Sequence, residues 1–455
     1  MAGVGFHLQK ILQKNTYLGI AQAYIYSALL SAGPWLLSII GIALISIVLK
    51  DIVTPKENEL FRVIVVYTYM GTLILTGPFQ LATTRYLADR LYVDDPQSLL
   101  PSFHFVGAVL FILGGGSSFL FYIITGLSIS LSLAGALLFQ TIALTWVGMI
   151  YLSAARDYIA IVKSFFIGYA ISVAAAYWGG IVWGLDGMLW GFGFGMTVLA
   201  LFLAIRTARE FPTTHGADKE VLKYWYNKPW LILCGFSYNT GIWIDKVYYW
   251  IDNNVSAGPF LATTDYDTCM YYAYISIVPT MALFLIRIET SFYQKYSEYY
   301  RGLESGFSWN QLTKAKEQMN DALKLSILRM LKFQGAITLI CILLAPKIME
   351  ITGLNPGLAT MFRISLIAAF MQALLMVQII IILYFDWQKL AAGITTLFLF
   401  CNAILTPMTI NLGFIYTGFG YLLACLIPVV VGMFYMEYKL KRLDYNVFAG
   451  QQVQS

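Results

Sequence analysis

Residues 229–253, PWLILCGFSYNTGIWIDKVYYWIDN, decide how the rest of the sequence is interpreted. The stretch is long and apolar enough to cross a bilayer, yet it contains charged side chains. A charge near the centre of a membrane helix costs roughly 2.5 to 3.5 kcal/mol, so such residues usually face a protein interior or a wet cavity. We therefore predict a transmembrane helix that forms part of the wall of a translocation path.

The predicted path residues on this helix are polar or aromatic. Four of them share one face at 3.6 residues per turn, namely Asn239, Trp243, Lys246 and Trp250. Asp245 lies on a neighbouring face. Adjacent positions are about 100° apart on a helix, so Asp245 and Lys246 are not expected to point at each other. Each charge should then have its own partner or a water-lined space.

Arg363 is the sixth predicted path residue. It enters a later apolar span from the same side as Asp245 and at a comparable depth, so we predict that the two pair. Two interpretations of the charges stay open. They line a path, or Asp245 forms a structural ion pair while Lys246 extends to the interface.

The composition is that of a polytopic membrane protein. Of 455 residues, 59% are hydrophobic and 12% are charged, and the mean hydropathy is +0.70. Apolar spans are predicted at about 17–49, 60–84, 102–126, 129–153, 158–183, 187–207, 229–251, 268–288, 323–346, 358–384, 389–410 and 412–436. Six spans, a polar linker and six more predict an all-α membrane protein with twelve transmembrane helices in two six-helix bundles.

The predicted domains follow from these spans. They are an amphipathic N-terminal cap at 1–15, an N-terminal bundle at 16–207, a cytoplasmic linker at 208–228, a C-terminal bundle at 229–442 with a cytoplasmic insert at about 290–324, and a cytoplasmic tail at 443–455. The insert is rich in tyrosine and in charged residues, and it is a candidate for docking a partner.

The distribution of positive charge predicts the orientation. All but six of the 29 Lys and Arg residues fall on the side of the termini, the six being Lys50, Lys56, Arg62, Lys246, Lys347 and Arg363. The positive-inside rule then places both termini in the cytoplasm. The formal net charge of +5 reflects this orientation and contact with the lipid bilayer, and it does not indicate a nucleic-acid partner.

Proline and glycine mark places where spans can bend or pack closely. Three spans are expected to be interrupted, and their predicted hinge residues are Gly33, Pro34, Gly77, Pro78 and Pro279. Gly187, Gly191 and Gly195 recur every four residues, which predicts a smooth helix face pressed against a neighbouring helix.

The sequence lacks the motifs of the common enzyme classes. It has no phosphate-binding GxxxxGK[ST] loop and no HExxH, and His7, His104 and His215 are scattered. The five cysteines show no metal or disulfide spacing. Residues 265–267 form a DxD motif, which we interpret as a loop outside the membrane. We predict neither enzyme activity, nor a metal site, nor a cofactor.

Several segments resemble one family. They are MAGVGF (1–6), SAGPW (31–35), TGPFQLATTRYLADRLY (76–92), GIWIDKVY (241–248) and RIETSFYQKYSEYY (287–300). Together they resemble PelG, the inner-membrane subunit of the bacterial Pel exopolysaccharide system, over the whole chain. The resemblance implies a MOP flippase-like fold, with two six-helix bundles around a central cavity, similar to polysaccharide flippases and MATE exporters.

The resemblance also implies a function and partners. The implied function is the movement of a growing N-acetylhexosamine-rich polymer across the inner membrane for the biofilm matrix. The implied partners are a PelF-like cytoplasmic glycosyltransferase, a PelD-like cyclic-di-GMP receptor and PelE-like membrane subunits. A largely neutral polymer would favour stacking rings and amides over a ring of carboxylates. The resemblance supplies no catalytic residues.

Two other classes of function stay open. One is an ion-coupled flippase of a lipid-linked or small substrate, in which Asp245 would titrate. The other is a scaffold that anchors the synthase without transporting. A scaffold predicts that substitutions in 229–253 leave export unchanged while changes in 290–324 abolish assembly.

Overall fold

The computed structural model describes residues 40–50, 52–213, 219–253 and 256–445, together with Tyr24, Ser27, Ala28, Leu37 and Ser38. The predicted cap at 1–15, the Gly33–Pro34 hinge and the end of the tail beyond residue 445 lie outside these residues.

The described chain is built almost entirely of helices. They are α1 (Pro55–Tyr92), α2 (Leu99–Ile124), α3 (Ile129–Ala154), α4 (Tyr158–Glu210), α5 (Glu220–Asn227), α6 (Pro229–Asn253), α7 (Thr264–Ile275), α8 (Val278–Arg287), α9 (Tyr293–Glu304), α10 (Trp309–Leu343), α11 (Ala345–Ile351), α12 (Ala359–Tyr384), α13 (Gln388–Ile410) and α14 (Phe419–Lys441). Residues 40–48 are also helical, and a π-helical segment, Ile288–Phe292, joins α8 to α9. The strands are β1 (Ser256–Ala257) and β2 (Phe260–Leu261), which pair antiparallel.

Some helices begin at residues whose side chains cap the first turn. At the start of α1, the Glu57 amide donates to Thr54 Oγ1 at 3.3 Å, and the Thr54 amide donates to Glu57 Oε2 at 2.9 Å. At the start of α10, the Ser308 amide donates to Gln311 Oε1 at 2.9 Å. These pairs satisfy amides that the first turn of a helix leaves without partners.

The predicted all-α membrane fold is confirmed. Nine helical segments of the described residues are long and apolar enough to cross a membrane. One of them, α4, corresponds to the predicted fifth and sixth spans, and α6 is not among the nine because its polar residues lower its hydropathy. The predicted first span lies mostly outside the described residues, so the count of twelve stays a prediction.

Helix α4 is a hairpin of two antiparallel arms that separate at Gly184, where φ is +57°. A Cβ on Gly187 would lie 1.9 Å from Gly179 O, one on Gly191 would lie 2.3 Å from Ala175 O, and one on Gly195 would lie 2.2 Å from Ser172 Oγ. The residue number of the contacted residue falls as that of the glycine rises, as expected for two antiparallel arms. The predicted close packing of the glycine face is therefore confirmed.

The chain packs as two compact units, one covering Ala28–Thr264 and one from Asp265 onward. In the first unit, α3 packs against α1, α2 and α4, and the ring centroids of Phe61 and Phe192 lie 5.8 Å apart in an edge-to-face arrangement. In the second unit, α12 packs against α10, α13 and α14. The predicted domain boundaries at 208 and 229 stay predictions.

The structure corrects one of the predicted helix interruptions and supports another. Helix α1 runs without a break through Gly77 and Pro78, so the interruption expected there is wrong. The φ of proline suits a helix, and a membrane helix can tolerate the missing amide. The interruption at Pro279 is confirmed, because α7 ends at Ile275 and Pro279 lies in the first turn of α8. The use of either site as a hinge stays a prediction.

The prediction that the DxD motif lies in a loop is wrong. Asp265 and Asp267 belong to the first turn of α7, where acidic side chains are favourable near the helix N-terminus. The preceding β1–β2 hairpin was not predicted. Gly258 supplies its positive φ of +59°, and Tyr67 of α1 donates to the Leu261 carbonyl at 2.9 Å.

The predicted insert at 290–324 folds as a pair of helices, α9 and the first turns of α10. Lys295 joins them by donating to Gln318 Oε1 at 2.7 Å. Asp444, beyond α14, accepts from Tyr299 at 2.9 Å and from Lys316 at 2.5 Å. Burial, followed by this hydrogen bond, raises the pKa of Tyr299, so its hydroxyl stays a donor. The start of the tail is thus fixed to the insert.

Candidate functional site

Helices α6 and α1 cross so closely that their backbones are in contact. A Cβ on Gly235 would lie only 2.1 Å from Gly77 O, and one on Gly77 would lie 2.6 Å from Asn239 Nδ2. Both glycines are buried, and Asn239 donates to the Gly235 carbonyl at 2.8 Å. Small residues allow helices to approach this closely in a membrane. The predicted path residue Asn239 therefore lies at the crossing of α1 and α6, next to Gly77.

Asp245 and Lys246 lie against each other inside the protein. Asp245 is 0% exposed and Lys246 is 7% exposed, and Lys246 Nζ lies 3.6 Å from Asp245 Oδ2. Lys246 also donates to the Ile242 carbonyl at 3.0 Å. The expectation that the two charges do not point at each other is wrong, because the long lysine side chain bends back along the helix. Lys246 also does not extend to an interface.

The two tryptophans of α6 that were predicted to line the path, Trp243 and Trp250, have different surroundings. Trp243 is half-buried, and Lys246 Nζ lies 5.3 Å from its ring centroid, within the range of a cation–π contact. Trp250 is only 2% exposed and stacks on Tyr67 at 4.7 Å. Tyr67 in turn contacts Phe260 of the hairpin at 5.0 Å. Trp250 thus supports the packing of α6 on α1, whereas Trp243 keeps an accessible ring surface.

Arg363 belongs to α12 in the second compact unit. It is half-buried, and its Nε donates to the Ile342 carbonyl at 3.2 Å. The carbonyl lies near the C-terminal end of α10, where a cation is favourable. The pairing of Arg363 with Asp245 stays a prediction.

A chain of hydroxyl groups in the first unit was missed by the sequence analysis. Tyr69 of α1 contacts the hydroxyl of Tyr169, which donates to Ser38 Oγ at 2.6 Å. Close by along α1, Thr68 and the hydroxyl of Tyr122 are 2.6 Å apart. Thr68, Thr72 and Thr76 are all buried and recur every four residues, a spacing that could have revealed this polar face.

A second missed cluster spans the broken helix in the second unit. Gln334 of α10 is fully buried; it accepts from Thr280 and donates to Thr338 Oγ1 at 3.1 Å and to the Ser276 carbonyl at 3.5 Å. Ser276 and Thr280 flank the break between α7 and α8. A break at membrane depth is tolerated where protein groups satisfy the freed backbone, and Gln334 supplies such groups.

The chemistry of the α6 site suits binding better than bond cleavage. It offers an amide, an indole face and a buried ion pair. No group of three His, Cys, Asp or Glu side chains within the described residues is arranged to hold a metal ion. Amides and aromatic faces are groups that can contact a neutral polar solute such as a sugar.

The PelG family model, described as "Putative exopolysaccharide Exporter (EPS-E)", matches residues 1–448 of the chain. No curated protein matches the chain in sequence.

Solved structures of transporters are similar to the chain in fold. A MOP superfamily transporter from Pyrococcus furiosus, 12% identical, superposes with a TM-score of 0.66 over 93% of this chain and 96% of that one. A MATE protein in the straight conformation, 13% identical, gives 0.65 over 93% and 96%. An inward-facing multidrug resistance MATE family transporter, 14% identical, gives 0.62 over 89% and 95%. These likenesses show the MOP transporter fold that was predicted.

Proposed function

Because the chain belongs to the PelG family of exopolysaccharide exporters and has the fold of MOP superfamily transporters, we propose that it moves a growing Pel-type exopolysaccharide, rich in N-acetylhexosamine, across the inner membrane. The family match over residues 1–448 is the observation that carries the proposal. It spans both compact units, as expected when the exporter function needs the whole chain.

Helix α6 supports the proposal through its polar groups at membrane depth. Placing Asp245 and Lys246 in a buried position is costly, since desolvation opposes their mutual attraction. Buried ionisable residues in membrane helices commonly mark substrate or ion pathways. The proposed path wall on α6 consists of Asn239, Trp243 and the Asp245–Lys246 pair, with Trp250 holding α6 in place, and Arg363 of α12 stays a predicted path residue.

The partners we propose follow from the family. A PelF-like glycosyltransferase would deliver the polymer from the cytoplasm, and PelD-like and PelE-like subunits would complete the synthase in the inner membrane. Both termini would be cytoplasmic, and the exported polymer would enter the biofilm matrix. The insert formed by α9 and the start of α10 is the proposed docking site, because its link to Asp444 gives it a fixed shape.

Polymer synthesis in proteoliposomes tests the proposal directly. The chain is reconstituted with the glycosyltransferase and its membrane subunits in one orientation, and sugar nucleotide is supplied outside. We expect polymer inside the vesicles, protected from an added glycosidase. Polymer that stays outside and is degraded, although the complex is intact, would contradict transport and favour the scaffold.

Substitutions in α6 test the proposed roles. Lys246→Met leaves the Asp245 carboxylate without its lysine, and breaking a buried pair costs about 3 to 5 kcal/mol. Lys246→Arg keeps the charge and is the matched control. We expect export to fall strongly in the first variant and weakly in the second at equal protein level. For Arg363, the combined Asp245→Arg and Arg363→Asp exchange should restore more export than either change alone, and if it does not, the pairing idea fails.

A second candidate function rests on the complete burial of the Asp245 carboxylate. Such a group could bind a cation in an ion-coupled flippase of a lipid-linked or small substrate. Collapse of the ion gradient separates the two functions. Loss of transport in vesicles that still make polymer would favour ion coupling over simple extrusion driven by chain growth.

A further inference from the structure

Helix α5 fixes the linker between the predicted bundles to the end of α1. Trp225 is buried, donates to Thr83 Oγ1 at 3.1 Å and contacts the ring of Phe79 at 4.5 Å. Tyr224 donates to Asp89 Oδ2 at 2.5 Å, and burial followed by this hydrogen bond raises the pKa of Tyr224. One face of α5 is therefore docked on α1.

Another side of α5 carries large apolar side chains that are uncovered within the described residues. Leu222 is 50% exposed and Tyr226 is 86% exposed. Trp230 and Leu233, at the start of α6, are also exposed. Large apolar side chains beside the end of a membrane helix are typical of segments that lie in the lipid interface, where Trp and Tyr are enriched.

An open groove of about 950 Å³ lies between α1, α5 and α6. It is lined by Phe79, Lys219, Leu222, Lys223, Trp225, Tyr226, Pro229, Ile232 and Leu233. The wall is apolar apart from the two lysines, which are one helical turn apart. This size is within the range of sites that hold a drug-sized molecule, roughly 300 to 1,000 Å³.

Among the described residues that line the groove, the charged side chains are both positive. Glu220, the acidic residue of α5, is held by Arg90 of α1 and does not line the groove. Neither Lys219 nor Lys223 forms an ion pair with a described residue. The two lysines beside an apolar groove complement a molecule that has an anionic head group and a hydrocarbon tail.

We propose that this groove binds an anionic glycerophospholipid, with an acyl chain along Leu222, Ile232 and Leu233 and the phosphate at Lys219 and Lys223. A bound lipid would cover the exposed face of α5 and would fix the linker helix at the membrane surface. The inference is independent of what the protein transports.

Lipid binding to the purified full-length chain tests the proposal. Native mass spectrometry in detergent compares phosphatidylglycerol with phosphatidylcholine, and inorganic phosphate alone is added as a separate arm. We expect preferential retention of phosphatidylglycerol. K219Q/K223Q should bind it about thirty-fold more weakly, given the contribution of each surface lysine to anionic-lipid binding.

Two further variants keep the test decisive. Lys314→Gln removes an exposed lysine elsewhere and should leave phosphatidylglycerol binding unchanged. Leu233→Trp fills the groove without a change in charge and should also weaken binding. Equal retention of both lipids, unchanged binding by K219Q/K223Q, or full competition by inorganic phosphate would each overturn the proposal.

Discussion

The crossing of α1 and α6 offers the sharpest test of the structure, through Gly235→Ala. An added Cβ at residue 235 would lie 2.1 Å from Gly77 O, whereas ordinary contacts begin at 3.4 Å. The two helices would have to separate by roughly 1.3 Å, the difference between these distances. The obstacle is backbone rather than a flexible side chain, so rotation cannot relieve it. Overpacking of this kind costs about 1 to 3 kcal/mol.

The assay is thermal unfolding of the detergent-solubilised protein. At about 2 to 4 °C per kcal/mol, a typical value for domains the size of the first unit, Tm should fall by roughly 2 to 12 °C. The matched control is Gly116→Ala in α2 of the same unit, where a Cβ would meet nothing within 4 Å. Its Tm should be unchanged or slightly higher, because alanine favours helix.

Export should also fall in Gly235→Ala, since Asn239 lies at the same crossing and the rest of the proposed path wall follows it along α6. Equal Tm values for the Gly235→Ala and Gly116→Ala variants would refute the close crossing. A lower Tm with full export per molecule would leave the crossing intact but would contradict the role of α6 in the path.

Three further predictions concern packing and polar contacts elsewhere. Gly187→Ala should lower Tm more than Gly193→Ala, because the first Cβ would lie 1.9 Å from a backbone oxygen and the second 3.7 Å from a leucine methyl group; equal Tm values would contradict the packing of the α4 arms. Gln334→Leu should cost about 1 to 2 kcal/mol by removing the groups that bridge the α7–α8 break, measured as a lower Tm, and an unchanged Tm would contradict that bridge. Tyr299→Phe should loosen the tail from the insert, seen as faster proteolysis or hydrogen exchange near Asp444, while unaltered rates would argue against the link.

The sequence by itself determined the membrane class, the position of most helices and the close packing of the α4 glycine face. These depend on local quantities: hydropathy over some twenty residues, and the spacing of small residues along one helix. Pro279 correctly predicted a helix break, because the amide hydrogen that proline lacks would have bonded within the same helix. Pro78 was misleading, since a membrane helix can continue through a proline.

Only the tertiary structure decided which groups meet. Helical spacing separates Asp245 from Lys246 by about 100° at the backbone, but it does not describe how a long side chain bends back to make a 3.6 Å contact. Likewise, the sequence places Gly77, Gly235 and Gln334 on their helices without naming the partner that lies opposite. Gly77 meets Gly235, and Gln334 meets Thr280, across long stretches of sequence, and only packing in three dimensions brings them to the same place.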